Sequence, residues 1–76
     1  MRVVIYSKDN CPWCDRAKDL MNTKNEEYTE IKIGRDITRE EFMEQFPYVR
    51  TVPYIIHDGV EISSYEALKE HYNRAS

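Results

Sequence analysis

Long hydrophobic runs are missing from this chain. No apolar stretch approaches the roughly 18 residues of a membrane span, so no transmembrane helix is expected. Concentrated charge is missing as well. Eleven Lys and Arg stand against fourteen Asp and Glu, for a net charge of −3. The two signs alternate along the chain, which leaves neither the basic footprint of a nucleic-acid binder nor a polybasic membrane patch. There is no internal repeat, low-complexity tract or linker, so a single domain is expected over residues 1–76. Met1-Arg2 leads straight into an apolar run, and we expect no signal peptide. Histidine is scarce: His57 and His71 lie fourteen residues apart, a separation that matches no zinc-finger spacing, and no metal site is expected. Together these absences point to a soluble cytoplasmic protein without a nucleic-acid or membrane partner.

Cysteine is scarce too, and all of it sits in one place. The two cysteines frame Cys11-Pro12-Trp13-Cys14, directly after the apolar run Val3-Val4-Ile5-Tyr6 and directly before a helical pattern. The loop such a pair closes is too short to staple a fold, so a chain of this size must rest on its core. In a reducing compartment a C-x-x-C pair is more often catalytic or metal-binding than structural. Spacing alone also fits half of a zinc site; the position between strand and helix favours thiol chemistry. One thiol attacks a foreign disulfide while the other waits one helical turn away.

Strand-turn-helix context makes the two roles unequal. Cys11 falls at a helix N-terminus, where unsatisfied N–H groups and the macrodipole favour negative charge. Such surroundings lower a thiol pKa from about 8.5 into a range of roughly 3.5 to 7.5. Lys8 is the nearest cation, while Asp9 and Asp15 oppose it. Cys14, one turn into the helix, is expected to be more buried and to keep its proton. Cys11 therefore attacks and Cys14 resolves.

The remaining pattern reads as β-α-β-α-β-β-α. Val3 to Tyr6 suits a central strand buried on both faces. Pro12 occupies a first helical turn, where its missing N–H costs nothing, and Trp13, Ala17, Leu20 and Met21 recur at helical spacing up to a polar stop at Asn22–Asn25. Tyr28 to Ile33 alternates, with Thr29, Ile31 and Ile33 on one face. After the break at Gly34-Arg35-Asp36, Thr38 and Glu41 form a capping-box pattern, followed by Phe42, Met43 and Phe46 as an inward face and by Pro47. The acidic run at Glu40, Glu41 and Glu44 is most simply a solvated face. Tyr54-Ile55-Ile56-His57 and Val60-Glu61-Ile62, joined by Asp58-Gly59, form a hairpin with a two-residue turn. Ser63 and Glu66 repeat the capping spacing, and Tyr65, Leu68 and Tyr72 stripe the last helix.

Three segments carry a family resemblance that covers essentially the whole chain: Tyr6-Ser7-Lys8-x-x-Cys11-Pro12-Trp13-Cys14, Arg50-Thr51-Val52-Pro53, and Ile62-x-x-Tyr65-Glu66-x-Leu68. With them the sequence resembles a small glutaredoxin. The resemblance implies an α/β thioredoxin-like fold, a four-stranded mixed sheet with three helices, and a cis Val52–Pro53 bond. It implies a thiol–disulfide oxidoreductase with no bound cofactor, acting as a monomer. Its co-substrate would be glutathione, and its clients disulfide-bearing proteins, among which ribonucleotide reductase is common in the family. Lys8 and Arg50 would meet the glycine-end carboxylate of glutathione, Trp13 would wall the groove beside Thr51 and the site-facing Pro53, and Val52 would pair its backbone with the tripeptide. The γ-glutamyl carboxylate would sit at the start of the last helix, on Ser64, Tyr65 and Glu66.

Two departures stand out. Ser63-Ser64 replaces the family's common Gly-Gly, and simple spacing puts Glu40, with Arg39 beside it, where a basic or polar residue usually helps hold the glycine-end carboxylate. The alternatives are a related protein reduced by thioredoxin reductase, an iron–sulfur carrier ligated by Cys11 and glutathione, and a non-catalytic binding module.

Overall fold

The computed structural model describes residues 2–75. Its elements are β1 (Val3–Ser7), α1 (Pro12–Thr23), β2 (Thr29–Lys32), α2 (Arg39–Gln45), β3 (Tyr54–His57), β4 (Val60–Ile62) and α3 (Tyr65–Ala75). The sheet order is β2-β1-β3-β4, with β1 parallel to β2 and antiparallel to β3, and β3 antiparallel to β4. This is the mixed thioredoxin-like sheet that the resemblance implies.

Side-chain alternation along β1 sorts the core into two layers. Val3 and Ile5 face α1 and α3, where they join Ala17, Met21, Ile55, Ile62, Leu68 and Tyr72. Val4 and Tyr6 face α2, with Phe42 and Tyr54 at the centre of that cluster. Covered on both faces, the central strand reads as an unbroken apolar run.

Local chemistry fixes the element ends. Helix α1 stops where Asn25 adopts a left-handed φ of 58°, while Asn25 N–H donates to Asn22 and Glu26 N–H to Met21. That is a Schellman closure, with asparagine in the place usually held by glycine. Helix α2 starts on a complete capping box: Glu41 N–H donates to the Thr38 hydroxyl at 3.0 Å, and Thr38 N–H to the Glu41 carboxylate at 2.8 Å. Positive φ at Asp58 (53°) and Gly59 (85°) gives the primed two-residue turn the Asp-Gly pair predicts.

Trp13 is 48% exposed, as a groove wall requires, and Cys14, the cysteine expected to be more buried, lies beside Ala17 and Met21 on the inward face of α1. Two expectations need correction. Met43 turns outward at 46% exposure, leaving Phe42 as the buried residue of α2. The cap of α3 is Ser64 and not Ser63: Ala67 N–H donates to the Ser64 hydroxyl at 3.1 Å. The cap thus sits one residue later, and Glu66 does not take the reciprocal capping position.

At the end of the sheet away from Cys11, His57 is buried and its Nε2 lies 2.7 Å from the Glu26 carboxylate. A ring nitrogen facing a carboxylate carries the proton, and the other ring nitrogen, Nδ1, lies 3.3 Å from His71 Nε2. The hairpin histidine and the helix histidine, unrelated in the sequence, tie β3 to α3 and to the turn after α1.

Candidate active site

Asn10, at φ 56°, turns the chain out of β1 and sets Cys11 as the N-cap of α1. The Cys11 sulfur accepts the Cys14 backbone N–H at 3.2 Å. A helix N-terminus thus presents a donor and the positive end of its dipole to the atom that becomes a thiolate on reduction. Cys11 and Cys14 are joined as a disulfide, with Cα atoms 5.3 Å apart. Cys14 is buried at 1% exposure and Cys11 at 8%. Cys11 is therefore the sulfur nearer solvent.

The loop before β3 faces this pair. The Cys11 sulfur lies 4.0 Å from the Val52 carbonyl oxygen, and the Val52–Pro53 bond is cis. Two adjoining hollows open on either side of a ridge formed by Trp13, Thr51 and Val52. The larger, of about 740 Å³, runs from Lys8 and Cys11 past Arg50 to α2. The smaller, of about 420 Å³, is closed by Pro53, Ser63, Ser64, Tyr65 and Glu66 at the start of α3. Every site residue named from the sequence apart from the buried Cys14 lines one hollow or the other. Trp13 is held between two neighbours, the Tyr65 ring at 5.8 Å and the Arg16 guanidinium at 4.6 Å.

The charges around the pair are partly matched. Asp9 and Asp15, the acids expected to oppose the thiolate, are each engaged by a lysine: Lys32 at 3.2 Å and Lys18 at 3.4 Å. Lys18 also meets Glu30 at 2.9 Å, and Glu30 accepts the buried Ser7 hydroxyl at 2.6 Å. The hydrogen bond to Glu30 raises the Lys18 pKa, while the Ser7 hydroxyl and then Lys18 lower that of Glu30. Among the described residues, no three His, Cys, Asp or Glu side chains are grouped to hold a metal ion.

Among the lining residues that sequence spacing did not assign to the site are Arg39 and Met43. Spacing had put Glu40 forward, yet Arg39 lines the larger hollow and Glu40 does not. The signal was present: Arg39 stands three residues before Phe42 and four before Met43, on one helical stripe.

Comparison with known proteins agrees with this geometry. A family model, Glutaredoxin, matches residues 3–62. Glutaredoxin 3 of Escherichia coli K12 is 35% identical over 66 residues, covering 87% of this chain and 80% of its own. Glutaredoxin 1 of Francisella tularensis, solved with cacodylate, has a TM-score of 0.84 at 26% identity, over 97% of this chain and 94% of its own. Buckwheat glutaredoxin, solved as a complex with glutathione, has a TM-score of 0.77 at 23% identity, over 96% of this chain and 69% of its own. With a strand-to-helix Cys11–Cys14 pair on this fold, the chain belongs to the glutaredoxin family of thiol–disulfide oxidoreductases.

Proposed function

We propose that the chain, as one domain over residues 1–76, is a glutathione-dependent reductase of protein disulfides and of glutathione mixed disulfides. The observation that carries this reading is the place of the Cys11 sulfur: at the N-cap of α1 and opposite the Val52 carbonyl. The Cys11 thiolate attacks one sulfur of a client disulfide, forms a mixed disulfide and releases the other client sulfur as a thiolate. Cys14 then gives up its proton and attacks the Cys11 sulfur. The Cys11–Cys14 disulfide closes and the second client thiol leaves. Two glutathione molecules restore the dithiol and depart as oxidised glutathione, so two electrons pass in each turnover.

Glutathione suits the two hollows. Its cysteinyl backbone would pair with Val52, its glycine-end carboxylate would meet Lys8 and Arg50, and its γ-glutamyl carboxylate would take the N–H groups of Tyr65 and Glu66. Trp13, Thr51 and Pro53 would wall the sulfur. The likeness of fold to the buckwheat glutathione complex supports this placement. We place the protein in the cytoplasm, where glutathione is kept reduced, as a monomer acting on protein disulfides; ribonucleotide reductase is one candidate client. A second reading, with thioredoxin reductase as electron donor, draws on one observation: Ser63 and Ser64 line the smaller hollow where the family commonly has Gly-Gly.

The test is turnover of a small glutathione mixed disulfide, coupled to glutathione, glutathione reductase and NADPH. Wild type and Cys14→Ser are expected to turn over, and Cys11→Ser to lose activity. Loss of all activity in Cys14→Ser would overturn the division of roles. Inactive wild type that is efficiently reduced by thioredoxin reductase would select the second reading.

A further inference from the structure

The loop that faces the cysteines is held from its two ends. Val49 N–H donates to the Phe46 carbonyl at 3.0 Å, but from Arg50 to Pro53 no backbone-to-backbone hydrogen bond forms among the described residues. Yet this stretch supplies Arg50, Thr51, Val52 and Pro53 to the two hollows. Its anchor is a side chain on the neighbouring strand. Tyr48, before the stretch, and Tyr54, directly after it, both donate their hydroxyls to the Glu61 carboxylate of β4. Glu61 pairs with Ile56 across the sheet, which puts it on the same face as Tyr54. The Tyr54 ring is fixed among Tyr6, Phe42 and Phe46. Tyr48, by contrast, is 61% exposed, so apolar burial does not account for its seat. The Tyr48 and then the Tyr54 hydroxyl hold the Glu61 carboxyl below its usual range, and an ionised acceptor makes the stronger bond. Glu61 itself lines neither hollow.

We infer that Glu61 is a positioning residue for the exchange: by gathering Tyr48 and Tyr54 on one carboxylate, it sets the Val52 backbone opposite the Cys11 sulfur before a substrate arrives. The inference rests on the reading that the Val52 backbone pairs with glutathione. The Val52 carbonyl oxygen already lies 4.0 Å from that sulfur. A loop held there offers its N–H and C=O without first being ordered, and a loop that must be ordered on binding weakens the complex. Loss of the Glu61 link therefore acts on binding of the mixed disulfide and spares the thiolate, whose donor, the Cys14 N–H, belongs to α1. The kinetic signature is a raised KM with kcat retained.

The test compares the full-chain wild type with Glu61→Ala, Glu61→Gln and Tyr48→Phe, on a small glutathione mixed disulfide in the coupled glutathione assay. Glu61→Ala is expected to raise KM about three- to tenfold and to leave kcat and the alkylation rate of reduced Cys11 near wild type. Glu61→Gln keeps an acceptor oxygen and should recover most of the loss. Tyr48→Phe should raise KM by itself but add nothing in a Glu61→Ala background, because both act through one carboxylate. Backbone amide relaxation reads the loop without any substrate. In Glu61→Ala the order parameters of Thr51 and Val52 should fall from about 0.85 toward 0.6 or below, while those of the sheet hold. Were Glu61→Ala not to fold, Tyr48→Phe, which removes one bond at an exposed ring, carries the same comparison. An unchanged KM, a fall in kcat alone, additive effects of the two substitutions, or order parameters that do not move would each overturn the inference. Wild type that does not turn over the glutathione mixed disulfide would overturn the glutathione reading instead, and the order parameters would still decide the role of Glu61.

Discussion

Helix α2 is seven residues long, too short to hold itself together in water, so its place over the sheet depends on what it buries. Phe42 is its one buried residue, at 5% exposure. The ring meets Tyr6 at 5.1 Å, Phe46 at 5.4 Å and Tyr54 at 6.1 Å. Replacing a buried phenylalanine by alanine typically costs about 3 to 5 kcal/mol, and three lost ring contacts argue for the middle of that range, about 4 kcal/mol. A chain of 76 residues has roughly 4 to 11 kcal/mol of stability in total. Phe42→Ala should therefore leave the fold barely stable, while Phe42→Leu, which keeps most of the volume, costs appreciably less. Urea unfolding followed by Trp13 fluorescence and far-ultraviolet circular dichroism measures both. With a slope near 1 kcal/mol per molar, the midpoint for Phe42→Ala falls by about 3 to 4 M. A loss under about 1 kcal/mol would refute the reasoning, because it would mean that α2 keeps its seat without the ring.

Three further outcomes follow from contacts away from the cysteines. Thr38→Ala removes one half of the α2 capping box and should cost about 1 kcal/mol, while Thr38→Ser should cost little; equal losses for the two, by urea midpoint, would refute the cap. Glu30 has its pKa lowered by the Ser7 hydroxyl and by Lys18, so its contribution is present above the unfolded value of about 4.3 and is lost as pH falls through the lower folded value. Glu30→Gln should thus have a flatter acid limb than wild type below about pH 4; a gap between the two that stays constant from pH 7 to pH 2 would refute the assignment. Tyr72 keeps a buried hydroxyl without a hydrogen-bond partner among the described residues, and its pKa is pushed up to about 12 by burial and then by the charge of Glu26. Tyr72→Phe should stabilise by about 1 kcal/mol at pH 7 and flatten the loss of stability that wild type shows from about pH 10 up to 12, seen as a higher and less alkali-sensitive thermal midpoint.

Element order was legible because each segment announces itself by period and punctuation. The Asp58-Gly59 turn and the Thr38/Glu41 box specify local geometry whatever surrounds them. Helix phase was less legible in α2, since Phe42 and Met43 are adjacent and both apolar; only contact with the sheet decides which enters the core. Contacts between distant segments were not legible at all. Nothing near His57 in the sequence points to Glu26 or His71, and the apolar environment that makes the link follows from the sheet register.

The charge of the groove is the sharpest case. Asp9 and Asp15 look like neighbours of the thiolate in the sequence, and each is paired with a lysine, Lys32 and Lys18, at the protein surface. Arg39 and Glu40 are adjacent in the chain and opposite in charge, so the sign of the α2 wall turns on which one the helix directs inward. Thr38 settles it. With Thr38 as N-cap, Glu41 must reach back to the cap, and Phe42 enters the core one residue later. Arg39 then shares the stripe of Phe42 and Met43, and Glu40 faces elsewhere. A single capping hydroxyl thereby fixes a positive wall beside Cys11, which is why the spacing of Arg39 to Phe42 says more about the groove than the acidic composition around it.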